Sequence, residues 1–97
     1  MRYLTMWELD PTKVPANPKE RAAMWAPLVQ GVRQAMKQGT TKDWGSFAGE
    51  MRGFGIYEGD ELGVSNHVQK FLPFVKFTVH PLISIDQMEE LIKNLQK

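Results

Sequence analysis

The stretch from Thr40 to Gly59 constrains this chain more than any other. It is rich in glycine, carries Trp, Phe, Ile and Tyr between the glycines, and shows no helical periodicity. Each Gly costs a helix interior about 1 kcal/mol relative to Ala, so the segment must be extended. It reads as a β-hairpin, with one arm over Lys42 to Phe47, a second over Met51 to Tyr57, and a turn near Ala48-Gly49-Glu50. On the second arm Gly53 and Gly55 alternate with Phe54 and Ile56. One face of that strand therefore lacks side chains, and a second backbone or a ligand can approach it closely.

The flanking segments place this hairpin in the middle of a longer order. Arg2 to Leu9 is rich in aromatic and apolar residues and stops at Asp10-Pro11, which predicts a first strand. Asn17-Pro18-Lys19-Glu20 is a helix start, with Asn17 as cap and Pro18 at the first helical position. The helix is expected to run to Gln38 and end at Gly39, burying Ala22, Trp25, Val29, Val32 and Met36 as one stripe, with a kink or break at Pro27. Asp60 to Leu72 reads as a weaker helix, closed by Pro73. Phe74 to His80 alternates Val75, Phe77 and Val79 against Lys76, Thr78 and His80, a strand pattern closed by Pro81. Ser84-Ile85-Asp86-Gln87 is a capping box, and Met88, Leu91, Ile92 and Leu95 form the apolar stripe of a last helix.

The expected fold class is α+β: a ferredoxin-like βαββαβ arrangement with a four-stranded antiparallel sheet and an extra C-terminal helix, in one domain. The 97 residues, 42% hydrophobic and 24% charged, fit one ordinary globular unit. Net charge is +1 with acids and bases interleaved, which argues against nucleic acid as partner. No cysteine is present, so disulfides, thiolate metal sites and a cysteine nucleophile are excluded. The first strand is too short and too interrupted by charge for a signal peptide or membrane span, and a cytoplasmic location is the expectation.

In such a fold both helices cover one face of the sheet. The other face, about 300 Å² even if flat, is left bare. That is at the limit of what a soluble monomer exposes, so a homodimer is expected. Alternation suggests that Leu4 and Met6 face the helices, leaving Tyr3, Thr5 and Trp7 on the bare face with Lys76, Thr78 and His80; the opposite assignment of the first strand is the alternative.

The element order resembles the dimeric α/β-barrel superfamily, which includes muconolactone isomerases, antibiotic-biosynthesis monooxygenases and several uncharacterised families. Three stretches carry the likeness: Lys42-Asp43-Trp44-Gly45-Ser46-Phe47, Gly49-Glu50-Met51-Arg52-Gly53-Phe54-Gly55-Ile56, and Phe74-Val75-Lys76-Phe77-Thr78-Val79-His80-Pro81-Leu82. The resemblance covers nearly the whole chain and speaks to fold rather than function. It implies a dimeric α/β barrel with a small, partly aromatic ligand held between sheet and helices or against the partner. It directs attention to Tyr3, Trp7, Trp44 and His80. The haem-degrading members of the group use an Asn on the first strand, and here the only Asn residues are Asn17, Asn66 and Asn94, so no haem or other cofactor is expected.

His80 is the candidate acid or base, since an imidazole titrates near neutral pH; the plainer reading is a strand-end His bonded to nearby backbone. Arg52 is the candidate for an anionic contact, against a surface ion pair. Ligand-binding candidates are thus Tyr3, Trp7, Trp44 and Arg52. His67 reads as a plain surface or half-buried residue. Two distant His without metal-ligand spacing make a zinc site unexpected. The functions in view are a small-molecule binder, a cofactor-free isomerase or monooxygenase, and a non-catalytic sensing or interaction module.

Overall fold

The computed structural model describes all residues, Met1–Lys97. The elements are β1 (Arg2–Leu9), α1 (Pro18–Gln38), β2 (Thr41–Ser46), β3 (Arg52–Glu58), α2 (Glu61–Gln69), β4 (Val75–Leu82) and α3 (Ile85–Leu95), with a short 3-10 turn at Pro11–Lys13. The four strands form one antiparallel sheet in the order β2-β3-β1-β4. The architecture is α+β and compatible with a ferredoxin-like fold. No helix is long and apolar enough to cross a membrane.

Local chemistry sets the boundaries. The Asn17 side chain accepts from the Lys19 and Glu20 amides, and Pro18 occupies the first turn, where its missing N–H costs nothing. Gly39 closes α1 with φ 83°, the left-handed region that a Cβ disfavours. Pro27 sits inside α1, which continues through it as one helix. Asp60 caps α2 through the Gly63 amide at 2.7 Å. Ser84 and Gln87 form the reciprocal capping box of α3, at 2.8 and 3.1 Å.

Three expectations need correction. The first concerns β1. Tyr3, Thr5 and Leu9 are buried toward the helices, while Leu4 and Met6 lie on the bare face. Register explains it: Tyr3 pairs with Tyr57, and Leu9 pairs with Val75, both packed under the helices, whereas Leu4 pairs with Ile56 and His80. Facing residues in a pair share a face, so the sides of β3 and β4 decide that of β1.

The second concerns α1. Its more buried positions are Met24, Leu28, Gly31, Val32 and Ala35; of the expected stripe Val32 is packed inward, while Ala22, Trp25, Val29 and Met36 are exposed. A Cβ added at Gly31 would stand 3.4 Å from the Phe71 ring, and Ala35 is buried beside it on the helix. Small residues mark where a helix approaches its support closely; the larger Trp25, Val29 and Met36 stay 38%, 50% and 36% exposed.

The third is the end of β4. It runs on to Leu82 through Pro81, because β4 is an edge strand and an edge tolerates a residue without a ladder donor.

Two buried groups lie between sheet and helices. Tyr3, Tyr57 and Val64 pack with Val79 under α2. Leu9, Phe71 and Val75 pack with Trp7, Val14, Leu28, Val32 and Phe77. On the opposite side of the sheet Leu4, Met6, Phe54 and Ile56 form a half-buried apolar centre that no helix covers. From Ile83 onward every residue is exposed, including the apolar stripe Ile85, Met88, Leu91, Ile92 and Leu95. The chain is accordingly elongated, 60 × 26 × 20 Å, with a radius of gyration of 16.2 Å. A compact chain of this length has about 12–13 Å.

The tightest packing in the sheet is at Gly53. A Cβ there would collide with the Gly45 carbonyl and stand 2.7 Å from Trp7 Cζ2 and 2.8 Å from Ser46 Cα. Two of these three neighbours are backbone and cannot swing aside. Gly53→Ala should therefore cost about 1–3 kcal/mol, as overpacking does. Urea denaturation read by circular dichroism checks this.

Candidate functional site

Gly53 and Gly55 point their bare side at the helices, and that missing row of side chains is filled from both neighbours. Trp7 on β1 lies opposite Gly53, and Trp44 on β2 lies opposite Gly55. With no Cβ between them, the two indoles lean over β3 and stack, ring centroids 5.2 Å apart and planes within 4°. Trp7 Nε1–H donates to the Phe54 carbonyl at 3.3 Å, which fixes its tilt. Such a pair is worth about 0.5–1.5 kcal/mol beyond the area it buries.

Above this pair the sheet and α1 do not close. They enclose a cavity of about 260 Å³. Its floor carries Trp7, Trp44, Thr5, Thr41 and Phe77 from the sheet; its roof carries Trp25, Leu28, Val29 and Val32 from α1; its back carries His67 and Phe71 from the α2 segment. Thirteen of its nineteen lining residues are hydrophobic, and its one ionised group is Glu50 on the β2–β3 turn. Arg52 Nε holds that carboxylate at 2.9 Å. The cavity therefore suits an apolar planar body and offers no cation to a free anion. Thr41 Oγ1 is buried beside it without a hydrogen-bond partner, an unmet polar demand in the floor.

The structure brings together two of the residues singled out from sequence, Trp7 and Trp44. It places the other three elsewhere. Tyr3 packs between sheet and α2 against Tyr57 and Val64. Burial, and then the nearby Glu61 and Asp60 carboxylates, hold its phenol above the ordinary range. Arg52 stands at the open end of β3, paired with Glu50 and 6.0 Å from the centre of the Phe47 ring. His80 is exposed on the bare face opposite Leu4. No cluster of His, Asp or Glu has the form of a metal site.

The residue that sequence reasoning passed over is His67. Its ring lies 5.0 Å from the Tyr57 ring and 5.1 Å from the Phe71 ring, and it lines the cavity. Burial first, and Lys70 on the same helix second, push its pKa below the ordinary 6.5. It is thus neutral near pH 7, and a neutral imidazole presents one donor and one acceptor nitrogen. The signal was present as spacing: His67 and Phe71 are i and i+4 and share a helical face, continued past the end of α2.

No protein-family model and no curated protein matches this sequence.

A depressed imidazole pKa carries a sign for stability. Above pH 6.5 the ring is neutral in folded and unfolded chains alike. Below it the unfolded chain takes up a proton that the folded one resists, so stability falls with pH until the folded-state pKa is passed. The slope of urea stability against pH just below 6.5 should be smaller in His67→Gln than in the parent chain. An unchanged slope would mean that His67 titrates as a solvated residue.

Proposed function

We propose that this chain binds a small, partly aromatic molecule in the cavity between sheet and α1, and that it does so as a homodimer. The observation that carries the binding reading is the indole pair. Two tryptophans are stacked against a glycine-cleared strand and bound a hollow, apolar space rather than a filled core. Planar aromatic surface facing an empty volume is what a planar ligand needs, and the volume suits a molecule of one or two fused rings.

The dimer rests on a separate observation. The face of the sheet away from the helices carries Leu4, Met6, Phe54 and Ile56 at its centre, flanked by Asp43 on one edge strand, Thr78 and His80 on the other, and charged pairs such as Glu58 with Arg2 toward its ends. The last helix leaves this face bare and carries an exposed apolar stripe of its own. A second copy covers both surfaces with like surfaces, the commonest form of self-association. This would complete the dimeric α/β barrel that the sequence resembles.

Of the catalytic alternatives, a cofactor-free isomerase or monooxygenase using His80 loses its base from the cavity, because His80 lies on the other side of the sheet. Binding without turnover is the reading that the geometry favours. A purely structural interaction module would call for a filled interior.

Titration with the neutral probe N-phenyl-1-naphthylamine tests the binding reading. We expect saturable binding at one site per chain, weakened roughly tenfold in Trp44→Ala, the size of one lost stacking contact. Absence of saturation in the parent chain contradicts the reading. For the dimer, light scattering should give twice the 11.1 kDa of one chain, and Leu4→Glu should return the mass toward that of the monomer. A parent chain that scatters as a monomer at micromolar concentration contradicts it.

A further inference from the structure

Every polar group that reaches the cavity constrains what can occupy it. Glu50 is the only ionised group in the lining, and Arg52 already holds it at 2.9 Å. No Lys or Arg lines the space. A carboxylate or phosphate entering there would lose its hydration with no cation to replace it, a cost of several kcal/mol for an unpaired charge. A fully apolar ligand would gain from the aromatic walls but would offer nothing to the imidazole of His67 or to the Thr41 hydroxyl, which is buried without a partner.

His67 is the group best placed to select among neutral ligands. It stands at the α2 side of the cavity, between Tyr57 and Phe71, with ring centroids 5.0 and 5.1 Å away. Neither neighbour is hydrogen-bonded to the imidazole. The titratable residues of other elements that share the cavity with it are Tyr57 from β3 and Glu50 from the β2–β3 turn; Thr5, Thr41 and Ser46 add neutral hydroxyls, and α1 contributes only Trp25, Leu28, Val29 and Val32. Lys70 acts from its own helix.

We propose that the cavity selects neutral planar aromatics that carry a hydroxyl donor, the phenol and naphthol class, with the hydroxyl donating to the unprotonated nitrogen of His67. This inference rests on the binding reading above. The ring of such a ligand lies among Trp7, Trp44, Phe71 and Phe77. Its hydroxyl gives His67 the partner that the protein does not supply. Burial among aromatic rings keeps that nitrogen free of a proton near pH 7, which leaves it an acceptor.

The test is calorimetric titration of the full chain with three probes of nearly the same shape: 2-naphthol, 2-methoxynaphthalene, which lacks the donor, and 2-naphthoate, which is charged. At pH 7 we expect 2-naphthol to bind roughly fivefold to tenfold tighter than 2-methoxynaphthalene, the value of one neutral hydrogen bond, and 2-naphthoate to bind weakest. In His67→Phe, which keeps an aromatic ring in place, the naphthol preference should fall to about onefold while 2-methoxynaphthalene still binds. In His67→Gln, whose amide oxygen also accepts, the preference should be retained. Acidification should weaken 2-naphthol in the parent chain, leave 2-methoxynaphthalene unchanged, and have no effect on 2-naphthol in His67→Gln. Equal binding of the two neutral probes, tight binding of 2-naphthoate, or a preference that survives in His67→Phe overturns the inference while leaving the cavity as a binding site. If no probe binds, both the inference and the binding reading fall.

Discussion

The rest of the structure depends on the absence of two side chains. Gly53 and Gly55 clear the helix-facing side of β3, and the indoles of Trp7 and Trp44 occupy the space from either flank. The contact works in both directions. Any Cβ at Gly53 meets the Gly45 carbonyl, so the glycine is required by the backbone of β2 as well as by the tryptophan ring. The stacked indoles do not fill the space beneath α1, which approaches its support closely at Gly31 and leaves a gap under Trp25, Leu28 and Val29. The cavity is the consequence: a floor made low by glycine, under a helix held up elsewhere.

Much of this was legible from the residues. Asn17-Pro18, Asp60 and the Ser84–Gln87 box state their helix starts by chemistry that acts within four residues, and each cap forms as written. The hairpin around Gly49 and the bare face of β3 follow from glycine spacing alone. What was not legible depends on partners distant in sequence. Alternation along β1 is apolar on both sides, with Tyr3, Thr5, Trp7 and Leu9 against Leu4 and Met6, so the strand itself cannot choose its inward face. Its pairing with Tyr57 and Val75 chooses it. In α1 the apolar spacing does not show where the helix approaches closely, at Gly31, nor that Trp25 and Val29 border an open space and stay exposed.

The same distinction separates the candidate site residues. Trp7 and Trp44 were singled out by the resemblance; that they lie opposite Gly53 and Gly55, with Trp7 on the helix side of the sheet, depends on strand register. His80 attracted attention as an imidazole on a well-defined strand, yet the strand's period sends it to the face away from the helices. His67, on a helix with weak periodicity, reaches the cavity because it shares a face with Phe71. Its neutrality near pH 7 follows from burial, which no local pattern reveals. The unpartnered surfaces tell a parallel story. Leu4, Met6, Phe54 and Ile56 on the sheet, and Ile85, Leu91 and Leu95 on α3, are apolar positions that no other element of the chain covers.

The central claim is that a planar aromatic enters the space over the glycine-cleared strand, on the helix side of the sheet. Nuclear magnetic resonance of the full chain titrated with 2-methoxynaphthalene tests it most directly. The account predicts ring-current shifts at the indole N–H groups of Trp7 and Trp44 and at the amides of Gly53 and Gly55, with Lys76, Thr78 and His80 unmoved. Shifts that fall instead on Thr78, His80 and α3 would contradict it, as would a titration that moves nothing.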